Sequence, residues 1–196
     1  MKSIKKELEY KYIINKSEFI SVIKYIDDVN DVDIFIEELK KRFKDATHYC
    51  YAYIINNYKK CSDDKEPQGT AGLPILNVLE KNELTTVICV VIRYFGGIKL
   101  GAGGLVRAYS NSIIEALDKT NIVELVDGYM IEMIFDYGQV KVIDYILKDR
   151  TIIEKEYGDS ITYKFYLNED ELNIVSELEK IAIHISIKDK VLIQKN

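Results

Sequence analysis

Arg93-Tyr94-Phe95-Gly96-Gly97-Ile98-Lys99-Leu100-Gly101-Ala102-Gly103-Gly104-Leu105-Val106-Arg107-Ala108-Tyr109 holds five of the chain's ten glycines within nine residues. A run rich in β-branched residues, 84–92, leads into it and an amphipathic helical pattern follows. The block therefore reads as strand, glycine loop, helix start. Glycine at that density lets backbone amides turn sharply or approach another group closely. Arg93, Lys99 and Arg107 lie in a stretch with no acidic residue between Thr85 and Ile114. With the helix expected from Gly103, Arg107 falls in or just after its first turn and Lys99 just before it. Cations there oppose the helix dipole unless an anion visits, and helix starts are common anion sites. Two readings stand side by side. In one, Arg93, Gly96, Gly97, Lys99, Gly101, Gly103, Gly104 and Arg107 form a phosphate or carboxylate site. In the other, the glycines serve close packing and the arginines pair with acids elsewhere. The spacing is neither GxGxxG nor GxxxxGK[ST], so neither nucleotide fingerprint applies.

Outward from the block, residues 4–26 read as two strands around Asn15-Lys16-Ser17, and 31–44 as a helix with Val32, Phe35, Leu39 and Phe43 on one face. A strand is expected over 47–55, a polar loop over 56–69, and a helix over 71–80 whose Pro74 must fall in the first turn. The run 84–92 reads as a buried central strand. The helix 103–119 should turn Val106, Tyr109, Ile113 and Leu117 inward, and 121–127 returns as a strand. Gly128 is the expected domain boundary, giving domains 1–127 and 128–196. Beyond it the pattern is strand 129–135, helix 139–148, strand 151–157, a Gly158-Asp159 turn, strand 161–167, helix 169–181 and strand 184–193. Asn168 and Glu171 have capping-box spacing. The order β-α-β-β-α-β is the ferredoxin-like split motif.

The chain has 196 residues, is 47% hydrophobic and carries a formal charge of −5. It has no global basic field for nucleic acid, so any such contact must be local. The acidity is concentrated in residues 128–196, with 9 basic and 13 acidic side chains. No apolar run has a membrane-spanning length, and the lysine-rich start has no signal core behind it. Cys50, Cys61 and Cys89 are odd in number with no CxxC spacing, which suits a reduced cytoplasm.

Three further stretches frame the glycine block: Ser62-Asp63-Asp64-Lys65-Glu66-Pro67-Gln68-Gly69-Thr70-Ala71-Gly72-Leu73-Pro74-Ile75-Leu76, Ala46-Thr47-His48-Tyr49-Cys50-Tyr51-Ala52-Tyr53, and Lys16-Ser17-Glu18-Phe19-Ile20. Together they resemble the Impact family in its bacterial YigZ-type, two-domain form, in detail over about residues 3–120 and in architecture beyond 128. Lys65 departs from the pattern, which usually has glycine there. The resemblance implies an α+β protein. Its first domain would be a ribosomal-protein-like α/β sandwich, similar to domain IV of elongation factor G. Its second would be ferredoxin-like, similar to domain V of that factor. The implied role is translation-linked, with RNA or the ribosome as partner. Eukaryotic relatives regulate a translation-control kinase through an additional N-terminal domain, which 196 residues leave no room for.

The loop before residue 72 has competing readings. Asp63, Asp64 and Glu66 could hold a divalent ion or pair with Arg93 or Arg107; the ion-pair network is preferred, and no metal or cofactor is expected. Gly69, Thr70 and Ala71 could offer amides at the next helix start, a second anion cradle, with Gly72 in the same supporting loop. His48 and Cys50 share a strand face and could act as base and nucleophile, but a buried thiol beside a polar histidine is the plainer reading, so no catalytic residue is assigned and His48 is kept as a polar partner. Tyr109 reads as core. The leading expectation is an RNA- or ribosome-binding regulator without chemistry. The alternative is an enzyme acting on a small phosphorylated or acidic substrate between the two glycine-rich loops, with His48, Asp63 or Asp64 as acid-base groups. A protein partner docking through the C-terminal domain is a third possibility.

Overall fold

A computed structural model describes residues 1–195. The chain divides into two compact units, Met1–Val123 and the remainder from Glu124 onward. In the first unit the short strand β1 (Lys2–Ile4) precedes a hairpin of β2 (Leu8–Ile14) and β3 (Ser17–Tyr25), then helix α1 (Asp31–Arg42). Strands β4 (His48–Ile55) and β5 (Tyr58–Ser62), helix α2 (Gly72–Lys81), strand β6 (Val87–Tyr94) and helix α3 (Gly101–Leu117) follow. The main sheet has the order β2-β3-β6-β4-β5 and every neighbouring pair is antiparallel.

β6 is central, and its alternate residues explain why its sequence is apolar without a break. Val87, Cys89 and Val91 pack with Ile75, Leu79, Ala108 and Ile113 of α2 and α3, while Ile88, Val90 and Ile92 pack with Val32, Phe35 and Leu39 of α1. Helices cover both faces, so an antiparallel strand acquires the continuous hydrophobicity more usual in parallel sheets. The Asn15-Lys16 turn joins β2 to β3 with φ of 46° and 63°, as type I′ hairpin turns require.

Two elements of this unit differ from expectation. The polar loop expected over 56–69 contains β5, reached by a tight turn at Asn56-Asn57 with Asn56 at φ 52°. Lysine-rich and exposed, it is an edge strand whose polarity masked its pairing. Helix α3 begins at Gly101 rather than Gly103. That start turns Leu105, Ala108, Tyr109 and Ile113 inward and leaves Val106 38% exposed.

In the second unit the elements run β7 (Ile122–Phe135), α4 (Val140–Ile146), β8 (Ile152–Tyr157), β9 (Ile161–Asn168), α5 (Val175–Leu178) and β10 (His184–Gln194). The strands lie in the order β10-β7-β9-β8, all antiparallel. This is the β-α-β-β-α-β succession read from the sequence. The Asn168–Glu171 capping box forms, but the helix behind it is shorter than expected, a 3-10 turn over Glu169–Ile174 leading into α5. Gly128 does not separate two strands; it sits inside β7, opposite Asn168 and Val191. A Cβ there would stand 2.5 Å from Ile193 Cδ1, so this glycine answers to close packing. No helix among the described residues is long and apolar enough to cross a membrane.

Candidate functional site

The end of β6, the start of β4, the loop ahead of α2 and the N-terminus of α3 converge on one cavity of about 410 Å³. His48, Glu66, Arg93, Phe95, Lys99 and Gly101 are among its lining residues. Sheet register brings the first of these together. Arg93 lies opposite His48 on β4 and Phe19 on β3, and it occupies the face of β6 that also carries Val91 and Cys89 under α3.

Arg93 is a buried member of this cavity lining. It is not a surface cation: it is 5% exposed, and its guanidinium lies over the rings of Phe19 at 5.3 Å and Phe95 at 5.5 Å. Nη1 donates to Glu66 Oε1 at 2.5 Å. The same oxygen accepts the Tyr109 hydroxyl at 2.9 Å and stands 3.8 Å from His48 Nε2. Glu66 is thus the carboxylate that meets arginine across the site. A charge buried this deeply requires such a partner. Arg93 Nε is buried with no hydrogen-bond partner among the described residues.

Asp63 and Asp64 serve the backbone instead. Asp63 accepts the amides of Gly69 at 2.8 Å, Ala71 at 3.0 Å and Gly72 at 2.8 Å. Burial alone would raise its pKa, but the amides of Gly69, Gly72 and Ala71 together outweigh that and hold it below the ordinary value. The cradle anticipated at the α2 start is therefore filled by the chain's own carboxylate. Thr70 is buried, its hydroxyl donating to the Pro67 carbonyl at 2.6 Å. Asp64 accepts the Tyr49 amide at 2.6 Å, and its carbonyl oxygen lies 2.7 Å from His48 Nδ1. That contact assigns the proton to Nδ1 and turns Nε2 toward Glu66. Cys50 is fully buried, 3.3 Å from the Tyr109 hydroxyl and 3.0 Å from the Asp63 carbonyl. Burial pushes its thiol far above the usual range, so it is not a thiolate nucleophile.

The glycine block separates by task. Gly96 passes so close to the Lys16–Ser17 backbone that a Cβ would lie 2.0 Å from the Lys16 carbonyl, and its amide donates to Ser17 Oγ at 3.1 Å. Gly97 and Gly101 take φ of 85° and 69°, where side chains are strained. Gly104 would press on Leu100. Gly103 has none of these constraints; a Cβ there would meet nothing within 4 Å. The α3 start carries no side-chain cap on the Leu100 side and no acidic residue in its first turn. Lys99 and Arg107 are exposed, and Arg107 falls in the second turn, past the strongest part of the dipole. Phe95 and Ile98, 45% and 44% exposed, belong to the same loop as Lys99.

Sequence reasoning missed Phe19, Thr47 and the hydroxyl of Tyr109. Thr47 Oγ1 accepts the Phe95 amide at 3.0 Å and anchors the loop. Register across β3, β4 and β6 places these groups, and register is not written in any local pattern.

The Impact N-terminal domain matches residues 15–117. The IMPACT family member YvyE of Bacillus subtilis is 38% identical over 180 residues, covering 89% of this chain and 83% of that protein. The IMPACT family member YigZ of Escherichia coli is 39% identical over 109 residues, covering 53% of each. A solved structure described as a hypothetical protein superposes with a TM-score of 0.61 at 26% identity, covering 100% of this chain and 97% of its own.

Proposed function

The chain belongs to the Impact family, and we propose that it is a translation-linked regulatory protein that binds RNA or the ribosome through the start of α3. One observation carries this reading. Lys99 and Arg107, both exposed and without an acidic partner among the described residues, stand beside a helix N-terminus that has neither side-chain cap nor first-turn acid. Such an end favours phosphate through its free amides and its dipole. Phe95 adds an exposed ring on which a base can stack. The family resemblance implies units similar to domains IV and V of elongation factor G, and that implication supports a role near the ribosome. Arg93, buried and paired with Glu66, is not part of the exposed surface that this reading uses.

The enzyme reading draws on the cavity and on His48 at its wall. Asp63 and Asp64, its other acid-base candidates, are committed to backbone amides, so binding is the better supported role. For a protein partner on the second unit, exposed Tyr137, Tyr145 and Tyr157 supply apolar surface.

The test is co-sedimentation with ribosomes and with RNA across a salt series, comparing the native chain with Lys99→Ala, Arg107→Ala. Both side chains are exposed, so folding should survive. Native binding should fall steeply with salt, and the double change should reduce the log–log slope by about 2. Binding that ignores salt, or that the double change leaves intact, overturns the proposal.

A further inference from the structure

We infer that the cavity beneath the α3 N-terminus holds one phosphate monoester carried by a nucleotide, either a free mononucleotide or the phosphorylated end of an RNA. The choice of a nucleotide rests on the RNA reading above; the anion itself does not.

The buried Arg93 leads to an anion. Glu66 takes Nη1 and leaves Nε without a hydrogen-bond partner among the described residues, in an arginine that is 5% exposed. An unsatisfied buried donor costs about 1–3 kcal/mol, and the planar guanidinium fork suits a tetrahedral oxyanion. The opening of α3 also lines the cavity, through Gly101 and Ala102, and no side chain caps that helix start. Lys99 is a further lining residue. Glu66 already neutralises Arg93, so Lys99 and the helix end supply the unbalanced positive potential, which a monoester of about −1.5 to −2 charges answers better than a singly charged diester.

Gly103, next in the chain to the lining residue Ala102, is a second sign. A glycine inside a helix costs roughly 0.5–1 kcal/mol relative to alanine, yet nothing in the fold would touch a Cβ at this position. Its bare backbone in the first turn leaves room for a ligand to approach the amides. Pro67, Phe95, Leu100 and Leu105 give the cavity apolar walls. Its volume of about 410 Å³ lies within the range of roughly 300–1,000 Å³ common for small-ligand sites, enough for a base or ribose behind the phosphate.

The experiment is calorimetric titration of the full chain with AMP, adenosine, and one oligoribonucleotide prepared with a 5′-phosphate and with a 5′-hydroxyl. AMP should bind and adenosine should not. Arg93→Lys, which keeps the charge opposite Glu66 but loses Nε, should weaken AMP by about tenfold. Gly103→Ala should weaken it while raising thermal stability, a split that a structural glycine would not give, and it keeps the test decisive if Arg93→Lys folds poorly. A 5′-phosphate requirement in the oligonucleotide assigns the ligand to an RNA end. AMP binding without any RNA binding supports the cavity site and removes the RNA reading. RNA binding that ignores the 5′-phosphate, with AMP silent, removes the cavity site and leaves the RNA reading standing. Equal binding of AMP and adenosine, or a Gly103→Ala protein with undiminished AMP affinity, overturns the inference.

Discussion

Lys65 shows how much one residue's backbone can explain. It is exposed, with φ 69°, and follows Asp64 at φ 39°. Glycine is the residue that enters this left-handed region without strain, which accounts for the glycine of the family pattern. Lysine keeps the loop's shape at an energetic cost. Lys65→Gly should therefore stabilise the protein by roughly 0.5–1 kcal/mol, measured by urea denaturation, with the Glu66–Arg93 pair undisturbed. Glu66 and Arg93 are the opposite case. Each neutralises the other out of water, so removing either carboxylate or guanidinium strands a buried charge. Glu66→Ala should cost about 3–5 kcal/mol in the same assay. The residue types of this site were legible in the sequence, as was the preference for an acid–arginine pair. Which acid meets which arginine was not, because Asp63, Asp64 and Glu66 are chemically alike and only the turn of the loop distinguishes them.

At the scale of the element, the two helices that frame the site start in opposite ways. α2 opens on amides that Asp63 already binds, whereas α3 opens on amides that no side chain caps. The pH dependence follows from the first. The folded pKa of Asp63 lies below its unfolded value, so its contribution is fully present above the unfolded carboxylate range near ~3.9 and is lost as pH falls through the lower folded value. Asp63→Asn should lose about 1–2 kcal/mol at neutral pH and show a shallower loss of stability in acid, read from urea midpoints between pH 7 and pH 2. Strand and helix periodicity located most elements to within a few residues. The misreadings were β5, whose polar edge looks like loop, and the start of α3, where two glycines and an alanine give no amphipathic signal to mark the first turn. Those two extra residues move Arg107 out of the first turn, so its value to a ligand rests on exposure more than on the dipole.

The whole molecule carries a net charge of −5, and its acidic excess lies in the second half of the chain. A protein of that charge reads RNA only where cations are concentrated and unopposed, and the α3 start is such a place. Apart from β1 and β5, the succession of elements in both units followed from sequence pattern because each element is short, periodic and punctuated. The cavity did not, because it is assembled from four segments that approach only once β3, β4 and β6 have taken their register. If the account is right, ligand contact is confined to the first unit. The most direct measurement is a two-dimensional amide NMR titration of the full chain with RNA at moderate salt. The account predicts that the amides of Gly101, Ala102 and Gly103 shift and saturate together with Phe95 and Lys99, while β7 through β10 stay still. Binding that moves the second unit and leaves the α3 start unchanged would contradict it.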